Sequence, residues 1–87
     1  SFYKNNFPLL NKETGLYTAV KLIIKDNLAN DFDFDDFMLG HSYFMAETEK
    51  EYELNRDYKI KPLLLEYLRD GILVDKDDLK KQINELK

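Results

Sequence analysis

His41 is the only histidine of the chain, and it stands between Gly40 and Ser42 in the run Asp36-Phe37-Met38-Leu39-Gly40-His41-Ser42-Tyr43-Phe44-Met45. Imidazole changes charge nearest neutral pH, so His41 is the first candidate for a general base. Ser42 sets a hydroxyl beside it, which raises the question of nucleophilic chemistry. Adjacent residues, however, rarely present their side chains to each other in nucleophile geometry. No third group that would orient the base is identifiable either. The residue types favour a local structural role. In that reading His41 bonds a backbone carbonyl and fixes a loop. Gly40 permits the turn. Tyr43 and Phe44 anchor it in the core, with the tyrosine hydroxyl satisfied at the surface.

Other chemistry fails on spacing. Asp31, Asp33 and Asp35 match positions one, three and five of a calcium-binding EF-hand loop. Asp36 then occupies the glycine position, and Ser42 stands where a bidentate glutamate is needed. The cluster reads as a solvated acidic edge, and no metal is expected. The only glycines are Gly15, Gly40 and Gly71, and none begins a G-x-x-x-x-G-K-[ST] phosphate-binding loop. Without that cradle and its lysine the chain is not expected to hydrolyse a nucleotide alone. Tyr17, Tyr43, Tyr52, Tyr58 and Tyr67 read as the edge of a core. A platform for single-stranded nucleic acid needs basic groups among its aromatics, and Lys59 and Lys61 make a thin set.

The elements that position these residues are helical. The sequence has 87 residues, 44% apolar and 14% aromatic, which makes one small domain with a core. The formal net charge is −4, from 13 basic and 17 acidic residues in mixed order. Direct nucleic-acid binding is disfavoured, because neutralising phosphates needs a basic footprint. No apolar run approaches the roughly 20 residues of a membrane span. The absence of cysteine excludes disulfides and thiolate metal sites, and it points to a cytoplasmic protein. The chain opens on Ser1 without an initiator methionine, which suggests an excised segment.

Residues 1–13, with Phe2, Tyr3, Phe7 and Pro8, are expected to be irregular and packed on the body. A first helix is expected from about Lys12 to Leu28, with Asn11 or Thr14 as cap. Leu16, Ala19, Val20 and Ile23 give its i, i+3, i+4, i+7 stripe. Tyr17, Leu22, Ile24 and Leu28 widen that stripe. Residues 29–47 are expected to hold little regular structure. There Asp31, Asp33 and Asp35 alternate with Phe32 and Phe34 as in a short extended piece, or Asp35 or Asp36 caps a helical turn. Thr48-Glu49-Lys50-Glu51 fits a capping box. The helix it opens should reach Arg69, with a kink or break near Lys61 imposed by Pro62. Ile60, Leu63, Leu64 and Tyr67 form its apolar face. Gly71 should end it in a left-handed conformation. Ile72-Leu73-Val74 then connect to a last helix from about Lys76 to Leu86. Asp75 is its expected cap, and Leu79, Ile83 and Leu86 its buried side. Asp77 and Asp78 near its start and Lys87 at its end suit the helix dipole. The fold class is all-α, a bundle of three to four helices.

Two motifs carry a family resemblance. Leu39-Gly40-His41-Ser42-Tyr43-Phe44 resembles an Ile-Gly-His-Ser-Tyr-Phe segment of the McrB-like AAA+ proteins. Those proteins are the NTPase subunits of methylcytosine-dependent restriction systems. Asp36 and Phe37 precede it, as an aspartate and an aromatic commonly do in that family. Ile60-Lys61-Pro62-Leu63-Leu64-Leu65-Glu66-Tyr67 resembles the family's Ile-x-Pro-Leu-Leu-x-Glu-Tyr, with Leu65 before the glutamate. The two motifs in order are more specific than either alone, and the likeness covers about residues 14–72.

The resemblance implies the C-terminal helical lid of an AAA+ module. On that basis residues 1–87 are one domain cut from a larger chain. The lid would close over a nucleotide bound mainly by a large α/β subdomain of the same chain. The whole protein would be a GTPase or ATPase using magnesium, while the lid alone would hold no cofactor. Neighbouring subunits of a ring and a nuclease subunit would be its further partners, with DNA recognised by a separate domain. Many AAA+ lids carry a sensor arginine at a helix start, but this chain has no Gly-Ala-Arg of that type. Gly40, His41, Ser42 and Tyr43 are the nearest analogue by position and are expected at the nucleotide cleft or the junction with the large subdomain. Arg56 and Arg69, the only arginines, are candidates for intersubunit contacts, against a reading as solvated helix charge. The competing reading is a stand-alone helical interaction or regulatory module, with the aromatics of residues 1–13 and 32–44 forming a partner groove.

Overall fold

A computed structural model describes the backbone of residues 7–76 and 78–87, and the side chains of residues 15–76 and 78–87. Helix α1 spans Phe7–Asn27 and α2 spans Phe34–Phe37. A 3-10 turn covers His41–Tyr43. Helix α3 spans Glu49–Asn55, and a π-helical segment, Arg56–Ile60, leads into α4 at Lys61–Arg69. Helix α5 spans Leu79–Asn84. The fold class is all-α, as the periodicity implied.

Helix α1 is longer than its stripe predicts. Residues 7–13 are helical and not irregular, while residues 1–6 lie outside the described part. Pro8 stands in the first turn of this span, where its missing N–H has no intrahelical partner to lose. Asn11 and Thr14 are therefore interior residues and not caps. Leu16, Val20, Ile23 and Ile24 are buried along one side. Leu22 is 51% exposed and does not belong to the stripe.

The acidic segment is not extended. Asp33 precedes the one-turn helix α2 in β-region backbone, and Asp35 and Asp36 lie inside it without capping. Phe32 and Phe34 thus diverge. Phe32 sets its edge against Phe37 with ring centroids 5.1 Å apart, while Phe34 packs on the core. Thr48 caps α3 as its box predicts, its hydroxyl accepting from the Glu51 amide at 3.1 Å. The reciprocal arm reaches one residue further back, because the Glu51 carboxylate accepts from the Glu47 amide at 3.1 Å.

Pro62 does not break the helix. The Lys61 amide donates five residues back, to the carbonyl of Arg56. Ile60 and Lys61 both keep right-handed helical dihedrals. The widened turn takes up the proline ring beside the Tyr58 carbonyl, so the chain absorbs the irregularity without ending. Helix α4 ends in a Schellman motif at Gly71, whose φ is +79°. The Ile72 amide donates to Tyr67 at 2.9 Å and the Gly71 amide to Leu68 at 3.3 Å.

Residues 72–74 then run beside the end of α1. Leu28 and Leu73 form an isolated antiparallel bridge. The Ala29 amide donates to Ile72 at 2.9 Å, and the Val74 amide donates to Asn27 at 2.7 Å. The last helix begins later than expected. It starts at Leu79 and not at Lys76, with Asp78 and not Asp75 in the cap position, at φ 56° and without a capping side-chain bond. Asp77 lies outside the described residues. The helix also stops at Asn84, so Lys87 lies beyond its last turn. Leu79, Ile83 and Leu86 are buried as expected. Helix α4 packs on α5, and α1 packs on α2 and α3. Leu16, Val20, Ile24, Ile60, Leu64, Leu73, Leu79 and Ile83 lie at the centre of one shared core.

Candidate functional site

The Gly40–Phe44 segment is held by its inner residues and exposes its outer ones. The Phe44 amide donates to the His41 carbonyl at 2.9 Å, and the Tyr43 amide to the Gly40 carbonyl at 3.1 Å. Phe44 is buried and meets the Tyr17 ring edge-on, centroids 5.1 Å apart at 75°. Tyr43 is half-buried, whereas Gly40, His41 and Ser42 are exposed.

Two expectations about this loop are corrected. The His41 ring makes no hydrogen bond to a backbone carbonyl among the described residues. It lies instead against Tyr17, with planes 6° apart and centroids 5.3 Å apart. That separation makes the pair an offset stack. Gly40 has φ −68° and ψ 163°, which any residue adopts, so the turn does not need glycine's freedom. A Cβ placed on Gly40 would meet nothing within 4 Å.

Both sequence motifs open on one groove of about 570 Å³. Ser42 and Tyr43 line one side, and Lys59, Pro62, Leu63 and Glu66 the other. The Tyr67 hydroxyl donates to the Phe37 carbonyl at 3.1 Å, and the two rings meet edge-on at 5.6 Å. Burial, with smaller contributions from nearby Tyr43 and Glu66, raises the Tyr67 phenol above its ordinary pKa. The second motif thus holds the segment that leads into the first. This helical frame and paired motif agree with a family match. The family described as McrB, alpha-helical lid domain, matches residues 22–83, which is more than half of the chain. The chain belongs to the McrB lid family. Neither curated proteins nor solved structures gave a match.

A McrB lid is one part of a larger AAA+ chain, and its other polar groups can be placed in that light. The guanidinium of Arg56 donates to both carboxylate oxygens of Asp57, at 2.8 and 3.1 Å, and lies 5.7 Å from the Tyr52 ring centroid. Its pKa is raised, first by that hydrogen bond. Asp57 also faces the Lys61 ammonium at 3.3 Å. Arg56 chiefly, with help from Lys61, lowers the Asp57 carboxyl to about 2. Arg56 therefore sits inside a local ion network, with 20% of its side chain exposed. It also lines a hollow of about 420 Å³ with Gly15, Ala19 and Tyr52. Arg69 differs. Its side chain is 75% exposed and only loosely paired, 3.8 Å from Glu66 and 3.5 Å from Asp70.

Asp31, Asp33 and Asp35 are exposed on the outer edge of the lid. Among the aromatics of residues 32–44 only Phe32 is exposed. The aromatic side chains of residues 1–13 lie outside the described part. Among the described residues no helix is long and apolar enough to cross a membrane. Sequence reasoning missed the partnership of Tyr17 with His41. No local pattern announces a stack between a helix and a distant loop.

Proposed function

We propose that this lid closes over GTP or ATP held mainly by an α/β subdomain of the same chain, with the Gly40–Tyr43 turn facing the nucleotide cleft or the junction with that subdomain. One observation carries the reading. Gly40, His41 and Ser42, the most distinctive residues of the chain, are exposed, Ser42 lines the groove shared with the second motif, and the folded lid does not itself require the glycine. A polar turn that is fixed in place, with its side-chain polar groups unbonded among the described residues, suits a surface met by something else. Closure then couples hydrolysis to neighbouring subunits of a ring, and through them to a nuclease subunit of a cytoplasmic DNA restriction system. Arg69, exposed and loosely paired, is the better placed arginine for an intersubunit contact.

Magnesium in this scheme belongs to the nucleotide phosphates and the α/β subdomain. Among the described residues no group of acidic or histidine side chains is arranged to hold a metal ion. DNA contact is assigned to another domain, in keeping with the net charge of −4.

The test has two arms. In the full AAA+ chain with magnesium, His41→Ala and Ser42→Ala are expected to slow GTP or ATP hydrolysis while leaving assembly intact. The 87-residue chain alone is expected to show no saturable micromolar binding of either nucleotide in an amide-shift titration. Tight binding by the lid alone would overturn the division of labour.

A further inference from the structure

We infer that Tyr17 is a positioning residue for His41, and the inference rests on the reading of Gly40–Tyr43 as the cleft-facing turn. Tyr17 lies on α1 between the buried anchors Leu16 and Val20, so its backbone is fixed by the core. Its one ring touches two members of the distant motif. It stacks on His41 with planes 6° apart, and it meets buried Phe44 edge-on. Phe44 thereby locks the tyrosine, and the tyrosine locks the histidine.

The kind of contact matters. His41 is exposed and makes no side-chain hydrogen bond among the described residues. Without the stack its ring would sample several rotamers. A hydrogen bond would also fix the ring, but it would occupy a ring nitrogen. Stacking holds the ring by its face and leaves Nδ1 and Nε2 open to a group across the cleft. A loop histidine kept only for local structure would gain the stack but would have no use for two open ring nitrogens. Here the helix supplies an oriented imidazole with both nitrogens unspent.

The experiment reads the ring directly. In proton NMR of the 87-residue chain, the His41 carbon-bound ring protons are expected upfield of a free imidazole, shifted by the Tyr17 ring current. Tyr17→Phe should keep that shift, and Tyr17→Leu should lose it while Ile24 and Leu64 methyl resonances stay in place. In the full AAA+ chain, Tyr17→Leu is expected to lower kcat about three- to tenfold, the scale of releasing one preset rotamer. Tyr17→Phe should restore it, and Tyr17→Leu should add nothing to His41→Ala. A wild-type His41 resonating as a free imidazole would sink the inference, whatever the variants do. Equal losses from Tyr17→Leu with and without His41 would reduce Tyr17 to a packing residue. An upfield His41 combined with an inert His41→Ala would instead refute the cleft-facing reading.

Discussion

The Lys61 ammonium donates to the carbonyl oxygen of Asn84 at 2.9 Å, which ties the start of α4 to the end of α5. The carbonyl belongs to the last turn of a six-residue helix, where the dipole is negative. A helix this short does not hold itself together, so its stability comes from docking. Lys61→Met keeps the aliphatic stem and removes the charge. It is expected to lower stability by about 1 kcal/mol in urea unfolding. Amide exchange should rise most in residues 79–86. Uniform loss of protection across α1 and α5 would contradict a local latch.

Gly71 and Gly40 should respond with opposite signs. Gly71 holds φ +79°, so Gly71→Ala is expected to cost about 1–2 kcal/mol through backbone strain. Gly40 holds an ordinary extended conformation with open space around it. Gly40→Ala should therefore stabilise the lid by roughly 0.4–1 kcal/mol, by restricting the unfolded chain. Thermal unfolding of both variants reads the contrast. A destabilised Gly40→Ala would mean that the loop uses glycine in a way its backbone angles do not reveal.

Acid should reveal Asp57. Its folded-state carboxyl, at about 2, lies below the ordinary value of 3.8. Stability from this group is present above the ordinary carboxylate range and is lost as pH falls from about 4 through 2. Its side chain is 38% exposed, so solvent screening keeps the contribution small. Asp57→Asn should flatten that part of the stability profile and leave the neutral-to-alkaline part parallel to wild type. An unchanged acid limb would show that the Arg56 and Lys61 contacts do not persist in solution.

Two leucines separate core from surface. Leu64 is fully buried, and Leu64→Ala is expected to cost about 2–5 kcal/mol. That is a large share of the roughly 5–15 kcal/mol typical of a domain. Leu22 is 51% exposed, and Leu22→Ala should stay within about 0.5 kcal/mol in the same denaturation assay. A large effect at Leu22 would restore it to the core stripe from which the structure removes it.

What the sequence determined by itself is what short-range chemistry decides. Thr48 and Glu51 are one helical turn apart, and the cap they announce forms. Gly71 marks the end of α4 because a left-handed residue is needed there and glycine takes that conformation without cost. The stripe from Leu16 to Ile24 and the triplet Leu79, Ile83 and Leu86 were legible because helical periodicity links neighbours along the chain. The two motifs were equally legible as family marks.

Tertiary structure alone decided the rest. Pro62 reads locally as a kink or break, yet a π-helical segment absorbs it, and residues 7–13, expected to be irregular, continue α1. Asp75 reads locally as a cap, yet residues 72–74 pair with the end of α1 and the helix starts only at Leu79. Above all, His41 gave no sign of Tyr17, nor Ser42 of Glu66. Those neighbours lie on different helices, and only the burial of a shared core brings them together.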